Sequence, residues 1–248
     1  MNLIELAKTR VMSGGSGGGG GEEDSVEKYF EARYETVELP NVTALKPYAF
    51  YQDTTLKNIL MPKVTSIGMY AFDGCTNLAL TSLPSGITSI GSNAFQNCTN
   101  LALTSLPSGI TKIGSTAFIS CSNLALTSLP SGITKIDMYT FQNCTNLASI
   151  SLPSGITEIE SYAFYGCTNL ASISLPSKLD YLGSRTFGNC TGLTSITFMK
   201  KPGRIIENSI FNGCTNLITI NVPWAEGAVA NAPWGATNAT INYNYTGE

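Results

Sequence analysis

Apolar and polar residues alternate in short stretches along most of the chain. A representative stretch is residues 147–152, Leu-Ala-Ser-Ile-Ser-Leu. Its last four residues alternate with a period of two, so Ile150 and Leu152 point to one side while Ser149 and Ser151 point to the other. This pattern predicts a short strand that is buried on one face and exposed to solvent on the other.

The residues after this strand complete one structural unit. Pro-Ser-Gly at 153–155 predicts a tight turn, since proline suits the second position of a type I turn and glycine the fourth. Residues 156–159, Ile-Thr-Glu-Ile, predict a second short extended segment. We expect residues 161–167 to form a single helical turn that points Phe164 and Cys167 inward.

This unit repeats with a mean period of 23 residues. Phenylalanines follow one another at gaps of 22, 23, 23, 23, 23, 23 and 24 residues from Phe50 to Phe211, and a cysteine lies three residues after seven of them. One coil buries too few apolar side chains to offset the entropy of ordering it, so stability has to be collective. The prediction is a right-handed solenoid of about eight coils with parallel strands. Its structural core is expected to contain Phe72, Cys75, Phe95, Cys98, Phe118, Cys121, Phe141, Cys144, Phe164, Cys167, Phe187, Cys190, Phe211 and Cys214.

Both ends of the chain depart from the repeat, as the open ends of a solenoid require. We expect an N-terminal cap over residues 24–38, repeats over 39–223 and a C-terminal cap over 224–248. Within the C-terminal cap, the sequence predicts a short helix near 224–231 and a capping strand over 239–245.

The first 23 residues differ in composition from the rest. Residues 13–23 are Gly-rich and are predicted to be a flexible linker. Residues 1–12 predict a short anchoring helix, which is marginal alone and makes sense if it docks on a virion or associates with itself. The residues expected to do the anchoring are Leu3, Ile4, Leu6 and Val11.

An asparagine precedes the leucine that follows each cysteine, and Gly192 replaces it once. Because Asn and Gly tolerate a left-handed backbone best, this exchange predicts such a backbone there. The stacked amide side chains are also expected to bond to the backbone of the next coil. The asparagines are Asn77, Asn100, Asn123, Asn146, Asn169 and Asn216.

Three coils break the alternation of the first strand, because threonine replaces the inward isoleucine and a leucine stands one place earlier. Two interpretations are open. Either these leucines form an exposed apolar stripe beside a column of hydroxyl groups, or the strand slips by one residue and buries them. An exposed stripe would be a candidate binding site. The residues of this candidate site are Leu80, Leu103, Leu126, Ser149 and Ser172.

Tyrosines cluster around the predicted helical turns. A tyrosine offers a flat apolar body with a polar tip, which suits protein interfaces and sugar-contacting surfaces. Scattered surface tyrosines are also ordinary, so both interpretations stay open. The candidate binding residues of this group are Tyr139, Tyr162 and Tyr165, with Tyr70 and Tyr181 nearby.

Composition and charge narrow the function classes. Charged residues make up 12% of the chain, and the net charge is −3 without basic clusters, so no nucleic-acid partner is expected. The chain has no histidine, which excludes histidine-dependent triads and metal sites. Glu158 and Glu160 form the one close carboxylate pair within the repeats, but a smooth coil face offers no cleft for glycosidic chemistry. We predict no catalytic residues, no metal and no cofactor. No apolar run approaches the ~20 residues of a membrane span, and no signal peptide is visible.

The seven cysteines are interpreted as packing residues. There is one in each coil, and free cysteine is among the most buried residue types. Their spacing of about 23 residues is not that of a zinc site. Disulfide bonds between neighbouring coils stay the alternative, because the spacing of stacked strands allows them.

The repeat motif resembles the BspA-like class of leucine-rich repeats. The resemblance lies in Ser-Leu-Pro-Ser-Gly-Ile-Thr-Glu-Ile at 151–159 and Ala-Phe-Tyr-Gly-Cys-Thr-Asn-Leu at 163–170, and it covers about residues 37–223. It implies a leucine-rich-repeat solenoid that recognises a protein or glycan on a cell surface. A weaker resemblance, in the N-terminal segment, the linker and residues 233–236, is to prophage-encoded versions.

Three functions follow from these expectations. The first is a non-enzymatic recognition module displayed on a phage particle, as a virion or tail component, through residues 1–12. The second is a bacterial cell-surface adhesin or antigen. The third is a structural decoration or assembly protein without a ligand. The expected location is therefore a virion or an extracellular surface.

Overall fold

The computed structural model describes residues 36–205, 209–228, 230 and 232–246. They form a parallel β-solenoid of about nine turns, with about 23 residues in each turn. The described residues contain fourteen short strands: β1 (Thr36–Glu38), β2 (Ala44–Leu45), β3 (Asn58–Leu60), β4 (Ser66–Ile67), β5 (Ser89–Ile90), β6 (Lys112–Ile113), β7 (Lys135–Ile136), β8 (Glu158–Ile159), β9 (Ser172–Leu175), β10 (Tyr181–Leu182), β11 (Ser195–Phe198), β12 (Arg204–Ile205), β13 (Thr219–Asn221) and β14 (Thr240–Asn242).

The strands form two faces of the solenoid. The strand face carries the pair β1-β3 and the sheet β9-β11-β13-β14, and the second face carries β2-β4-β5-β6 and β7-β8-β10-β12. All pairs are parallel and join neighbouring coils, as where Ile173 lies beside Ile196 and Ile196 beside Ile220. Because paired residues are about one repeat apart, each repeat position forms a column, and the isoleucine columns point into the core.

The phenylalanine column runs through the centre of the solenoid. The rings from Phe50 to Phe211 are buried, and each stacks on the next with centroids 5.1–6.0 Å apart. Burial of each ring depends on the coil above and the coil below. This dependence explains why the apolar spacing is so regular along the chain.

The segments around the phenylalanines form a third face, the turn face, which consists of the residues from two before to two after each phenylalanine. No helix occurs in the described residues, so the predicted helical turns are wrong. Alternate N–H groups instead donate to the next coil, Thr116 N to Met138 O and Phe118 N to Thr140 O, both at 3.0 Å. Thr116 and Ser120 have φ of 59° and 58°, and this left-handed backbone turns their N–H groups towards the neighbouring coil.

The left-handed backbone predicted at the asparagine before each leucine is also wrong, because positive φ occurs on either side of the phenylalanines instead. The asparagine side chains do bond between coils, but to the preceding one: Asn77 Nδ2 donates to Thr54 O at 2.8 Å. Gly192 is explained by space, since a Cβ there would lie 2.3 Å from the carbonyl oxygen of Thr168.

The C-terminal end closes on β14, which pairs with β13. Of the capping strand predicted over 239–245, only Thr240–Asn242 forms a strand, and residues 243–244 form a turn. The predicted helix near 224–231 is wrong for residues 224–228 and 230, which adopt turns and bends. Trp224 and Trp234 pack on Phe198 with ring centroids 5.4 and 5.8 Å away. Gly227 and Gly235 have positive φ, which a helix does not accept and which lets the chain fold both indoles over the last coil.

Several predictions lie outside the described residues. These concern the anchoring residues Leu3, Ile4, Leu6 and Val11, the linker over 13–23 and most of the N-terminal cap over 24–38. The described part of that cap is β1, which pairs with β3 in the same parallel register as the repeats.

Candidate functional site

The leucines of the proposed apolar stripe are buried. Leu80, Leu103 and Leu126 have exposed fractions of 6%, 0% and 1%, so the exposed stripe is wrong and these residues are not a binding surface. The alternative interpretation predicted that a one-residue slip of the strand buries these leucines, and their burial is confirmed. The structure differs from that alternative in how the shift is accommodated.

The shift is local rather than a slip of the whole strand. Leu80 and Leu83 are both buried, and the two residues between them, Thr81 and Ser82, both face solvent. Two consecutive outward residues break the period-two alternation, so no strand forms at 79–83. Burying a leucine contributes about 1.5–3 kcal/mol, more than the ~0.5–1.5 kcal/mol of one lost hydrogen bond, so the apolar side chain decides the backbone path.

The hydroxyl column of the strand face is present. Ser149 and Ser172 are exposed and lie side by side in neighbouring coils, as do Ser128 and Ser151. Side chains this small give hydrogen-bonding groups but little apolar area. The strand face therefore offers few of the anchors on which binding energy usually depends.

The predicted tyrosines come together on the turn face as one cluster. Tyr139 and Tyr162 stack with centroids 5.0 Å apart, and Tyr165 packs on Tyr162 at 5.5 Å. Asn189 Nδ2 donates to the Tyr165 hydroxyl at 2.7 Å. All three tyrosines are half-buried, so this second tyrosine cluster is a rigid, partly exposed aromatic surface.

A first tyrosine cluster lies nearer the N-terminal end, and the sequence analysis missed most of it. Tyr48 and Tyr70 stack with centroids 4.9 Å apart, and the Tyr51 ring lies nearly perpendicular to both. Tyr48 is 51% exposed and Tyr51 43%. The signal was available, because Tyr48 and Tyr51 stand two before and one after Phe50, the places that Tyr162 and Tyr165 occupy around Phe164.

The two clusters form one edge of the solenoid, the tyrosine edge. Tyr48, Tyr70, Tyr139 and Tyr162 share one column, and each has φ between 56° and 60°, which projects the side chain away from the coil. Three coil spacings separate Tyr70 from Tyr139, about 14 Å. Exposed methionines adjoin both clusters, Met69 at 46% and Met138 at 41%.

The Glu158–Glu160 pair belongs to an ion cluster on the second face. Lys135 Nζ lies 3.0 Å from Glu158, 2.8 Å from Glu160 and 3.6 Å from Asp137. The hydrogen bonds that Lys135 donates to Glu160 and then to Glu158 raise the pKa of Lys135 above its ordinary value. Both carboxylates thus bond to one shared cation, the Lys135 ammonium group.

The cysteines form a buried column of free thiols. Each donates to the phenylalanine carbonyl of the preceding coil, as Cys121 Sγ does to Phe95 O at 3.0 Å. Burial raises the pKa of Cys75 and of Cys214 to about 12. A thiol that stays protonated is a poor nucleophile and a poor metal ligand, so this column is packing. Among the described residues, no group of histidine, cysteine and carboxylate side chains is placed to hold a metal ion.

The repeat sequence matches the model of a known protein family. The model of the BspA type leucine rich repeat region matches residues 27–148 and 117–227, with six copies of the repeat. The chain belongs to the BspA-type leucine-rich repeat family. No curated protein matches the chain significantly.

Solved structures share the fold of this BspA-type protein. A leucine-rich cell surface protein from Faecalibacterium prausnitzii is 24% identical with a TM-score of 0.64, over 76% of this chain and 63% of that one. A leucine-rich repeat protein from Bacteroides ovatus is 23% identical with a TM-score of 0.58, over 84% of this chain and 60% of that one. The chain thus spans less than two thirds of either relative.

No helix within the described ranges is long and apolar enough to cross a membrane.

Proposed function

We propose that this protein is a non-enzymatic recognition module that binds a protein or glycan of a cell surface through its tyrosine edge. The observation that carries the proposal is the pair of tyrosine clusters in the same repeat columns, the first exposed at Tyr48 and Tyr51 and the second half-buried. Tyrosine is enriched at binding interfaces because a rigid ring gives large contact area at a small entropic cost.

The remaining surface supports the same choice. The strand face presents mainly hydroxyl groups, and the second face presents threonines together with the Lys135 ion cluster. The tyrosine edge adds exposed Met69 and Met138 to its rings. It therefore combines the aromatic anchors and the adaptable apolar side chains that dominate binding energy.

The proposal also states which surface carries the recognition module. Residues 1–12 are proposed to attach the module to a phage particle as a virion or tail component, and a bacterial cell surface is the alternative. Immunogold labelling of purified particles and of intact bacteria separates them, since label on only one of the two identifies the setting. If the protein is instead a structural decoration or assembly protein without a ligand, we expect label on the particle and no binding activity.

The binding test uses the full chain on a glycan array and on intact cells. Asparagine accepts positive φ and already stands in this column at Asn93, so Tyr70→Asn with Tyr139→Asn removes one ring from each cluster with little strain. We expect the double variant to bind about tenfold more weakly, which is ~1.4 kcal/mol. Thr116→Asn, in the same column between the clusters, is the matched control. Equal binding by wild type and double variant rules the tyrosine edge out.

A further inference from the structure

The sheet on the strand face is interrupted between β3 and the first shifted coil. β3 pairs with β1 on one side, and on its other side it meets residues 79–83, which form no strand. On this face, the N–H group of Ala79 donates to the carbonyl oxygen of Lys57 at 2.9 Å. Within the described part of the chain, no backbone hydrogen bond joins Ile59–Met61 to Thr81–Leu83. The interruption follows from the buried Leu80, which displaces Thr81 outward.

The interruption leaves strand edges without strand partners. The Ile59 N–H group bonds to its neighbour's side chain, Asn58 Oδ1, at 2.9 Å instead of to the next coil. On the facing wall, Thr81 and Ser82 are exposed and bond to no backbone group of β3. Unpaired strand edges bind other extended chains readily, because backbone groups need hydrogen-bonding partners.

A groove of about 700 Å³ lies at this interruption. Its floor contains the buried Ile59, Met61, Leu80 and Leu83, and Leu60 stands at the rim with 51% of its surface exposed. No charged side chain lines it. An uncharged lining does not compensate a charged ligand group for lost water, so the groove favours a neutral ligand.

We propose that this groove binds an extended, uncharged peptide segment, which adds to β3 as a strand. Each wall of the groove is about five residues long, which corresponds to roughly 16 Å at the rise of about 3.3 Å per residue in a strand. The backbone groups at the free edge of β3 supply the hydrogen bonds of strand addition, with Ile59 N–H exchanging its bond to Asn58 Oδ1 for one to the peptide, and the apolar floor accepts alternate side chains of the peptide. The site lies on the strand face and is independent of the tyrosine edge.

The chain itself provides the probe peptide. Residues 168–177, Thr-Asn-Leu-Ala-Ser-Ile-Ser-Leu-Pro-Ser, are uncharged and contain β9, which pairs in parallel with β11 in the other sheet of the strand face. A synthetic copy with an acetylated N-terminus, an amidated C-terminus and a fluorophore reports binding to the full chain by anisotropy. A matched peptide with proline in place of its isoleucine cannot form the same ladder and is the negative control.

The chain also provides the variant that closes the groove. Leu80→Ser with Thr81→Ile gives residues 79–83 the sequence Ala-Ser-Ile-Ser-Leu of the regular coil at 171–175. The strand then pairs with β3, and we expect at least a tenfold loss of peptide binding. Leu126→Ser with Thr127→Ile makes the same change away from the groove and leaves binding unchanged.

A rim variant covers the case in which the closing variant does not fold. Leu60→Glu puts a charge at an exposed position and is expected to weaken peptide binding at least fivefold, while Leu60→Met preserves it. The proposal is overturned if wild type does not bind the peptide, if binding survives both the closing and the rim variants, or if an oligosaccharide displaces the peptide from the groove.

Discussion

The Cys121 thiol donates a hydrogen bond of 3.0 Å to the carbonyl oxygen of Phe95 in the preceding coil. The same bond joins each of the other six cysteines to a phenylalanine carbonyl one coil earlier, at 2.9–3.1 Å. The phenylalanine and cysteine columns are therefore joined by hydrogen bonds as well as by packing. The bond runs between coils, so it adds to the stacking on which the solenoid depends.

Removing one thiol tests the strength of this link. Cys121→Ala removes one of the two donors to the Phe95 carbonyl, which keeps its bond from Cys98 N–H, and opens a small cavity, so we expect the free energy of unfolding to fall by about 1–3 kcal/mol. Urea unfolding followed by circular dichroism measures the change. Ser108→Ala, at an exposed turn, is the control and should alter stability by less than ~0.5 kcal/mol. An equal effect of both substitutions would contradict the link.

Stability should also fall at alkaline pH because of these thiols. The pKa of Cys75 and of Cys214 is raised from 9.0 to about 12 in the folded protein, chiefly by burial. The unfolded thiol ionises first, so the stabilisation is complete below about pH 9 and is lost as pH rises from 9 towards 12.

The measurement is urea unfolding between pH 8 and pH 10. The loss is on the order of 1 kcal/mol for each thiol by pH 10. The variant with Cys75→Ala and Cys214→Ala should lose less stability over this range than wild type. Identical slopes for the two proteins would show that other groups cause the decline.

Replacing Gly192 by asparagine, the residue found at this repeat position in other coils, is expected to destabilise the protein. Six other coils carry asparagine at this position, yet a Cβ at Gly192 would lie 2.3 Å from the Thr168 carbonyl oxygen. We expect Gly192→Asn to destabilise the protein by about 1–3 kcal/mol, because a backbone atom has to move. Thermal unfolding measures it, with Asn146→Gly as the reverse exchange in another coil. Stabilisation by Gly192→Asn would show that the close approach is not a constraint.

The ion cluster around Lys135 is expected to matter little for stability. Its lysine is 42% exposed and its three carboxylates between 21% and 40%, so solvent and salt screen the attraction. Lys135→Ala should cost at most ~1 kcal/mol, and the cost should shrink in 1 M NaCl. A larger loss that persists in high salt would mean that the aliphatic part of the lysine, rather than its charge, holds these coils together.

The sequence predicted the columns of the core because one repeat position corresponds to one place in the coil. The spacing of Phe118 and Cys121 relative to their counterparts was enough to place both inside. Predictions that depend on local conformation fared less well. The segment around Phe118 has the apolar spacing of a helical turn, yet alternate N–H groups of it bond to the next coil, which a single repeat does not reveal.

The candidate sites depended on details that spacing alone does not fix. The sequence left open whether Leu103 is exposed or buried, because both strand registers fit the alternation, and burial energy decided between them. Tyr139 and Tyr162 were predicted as binding residues, while Tyr48 was overlooked because it lies in the least regular coil. The groove beside β3 was not predictable, since it arises where a regular coil meets a shifted one.

The most direct test of the architecture is the reactivity of the native protein with a thiol reagent such as Ellman's reagent. Both proposed sites require the phenylalanine and cysteine columns to lie inside one continuous core. We predict that the seven thiols stay unreactive in the folded protein at pH 8 and that all seven react after unfolding in urea. Rapid labelling of several thiols in the folded protein would place the column at the surface and contradict the solenoid described here.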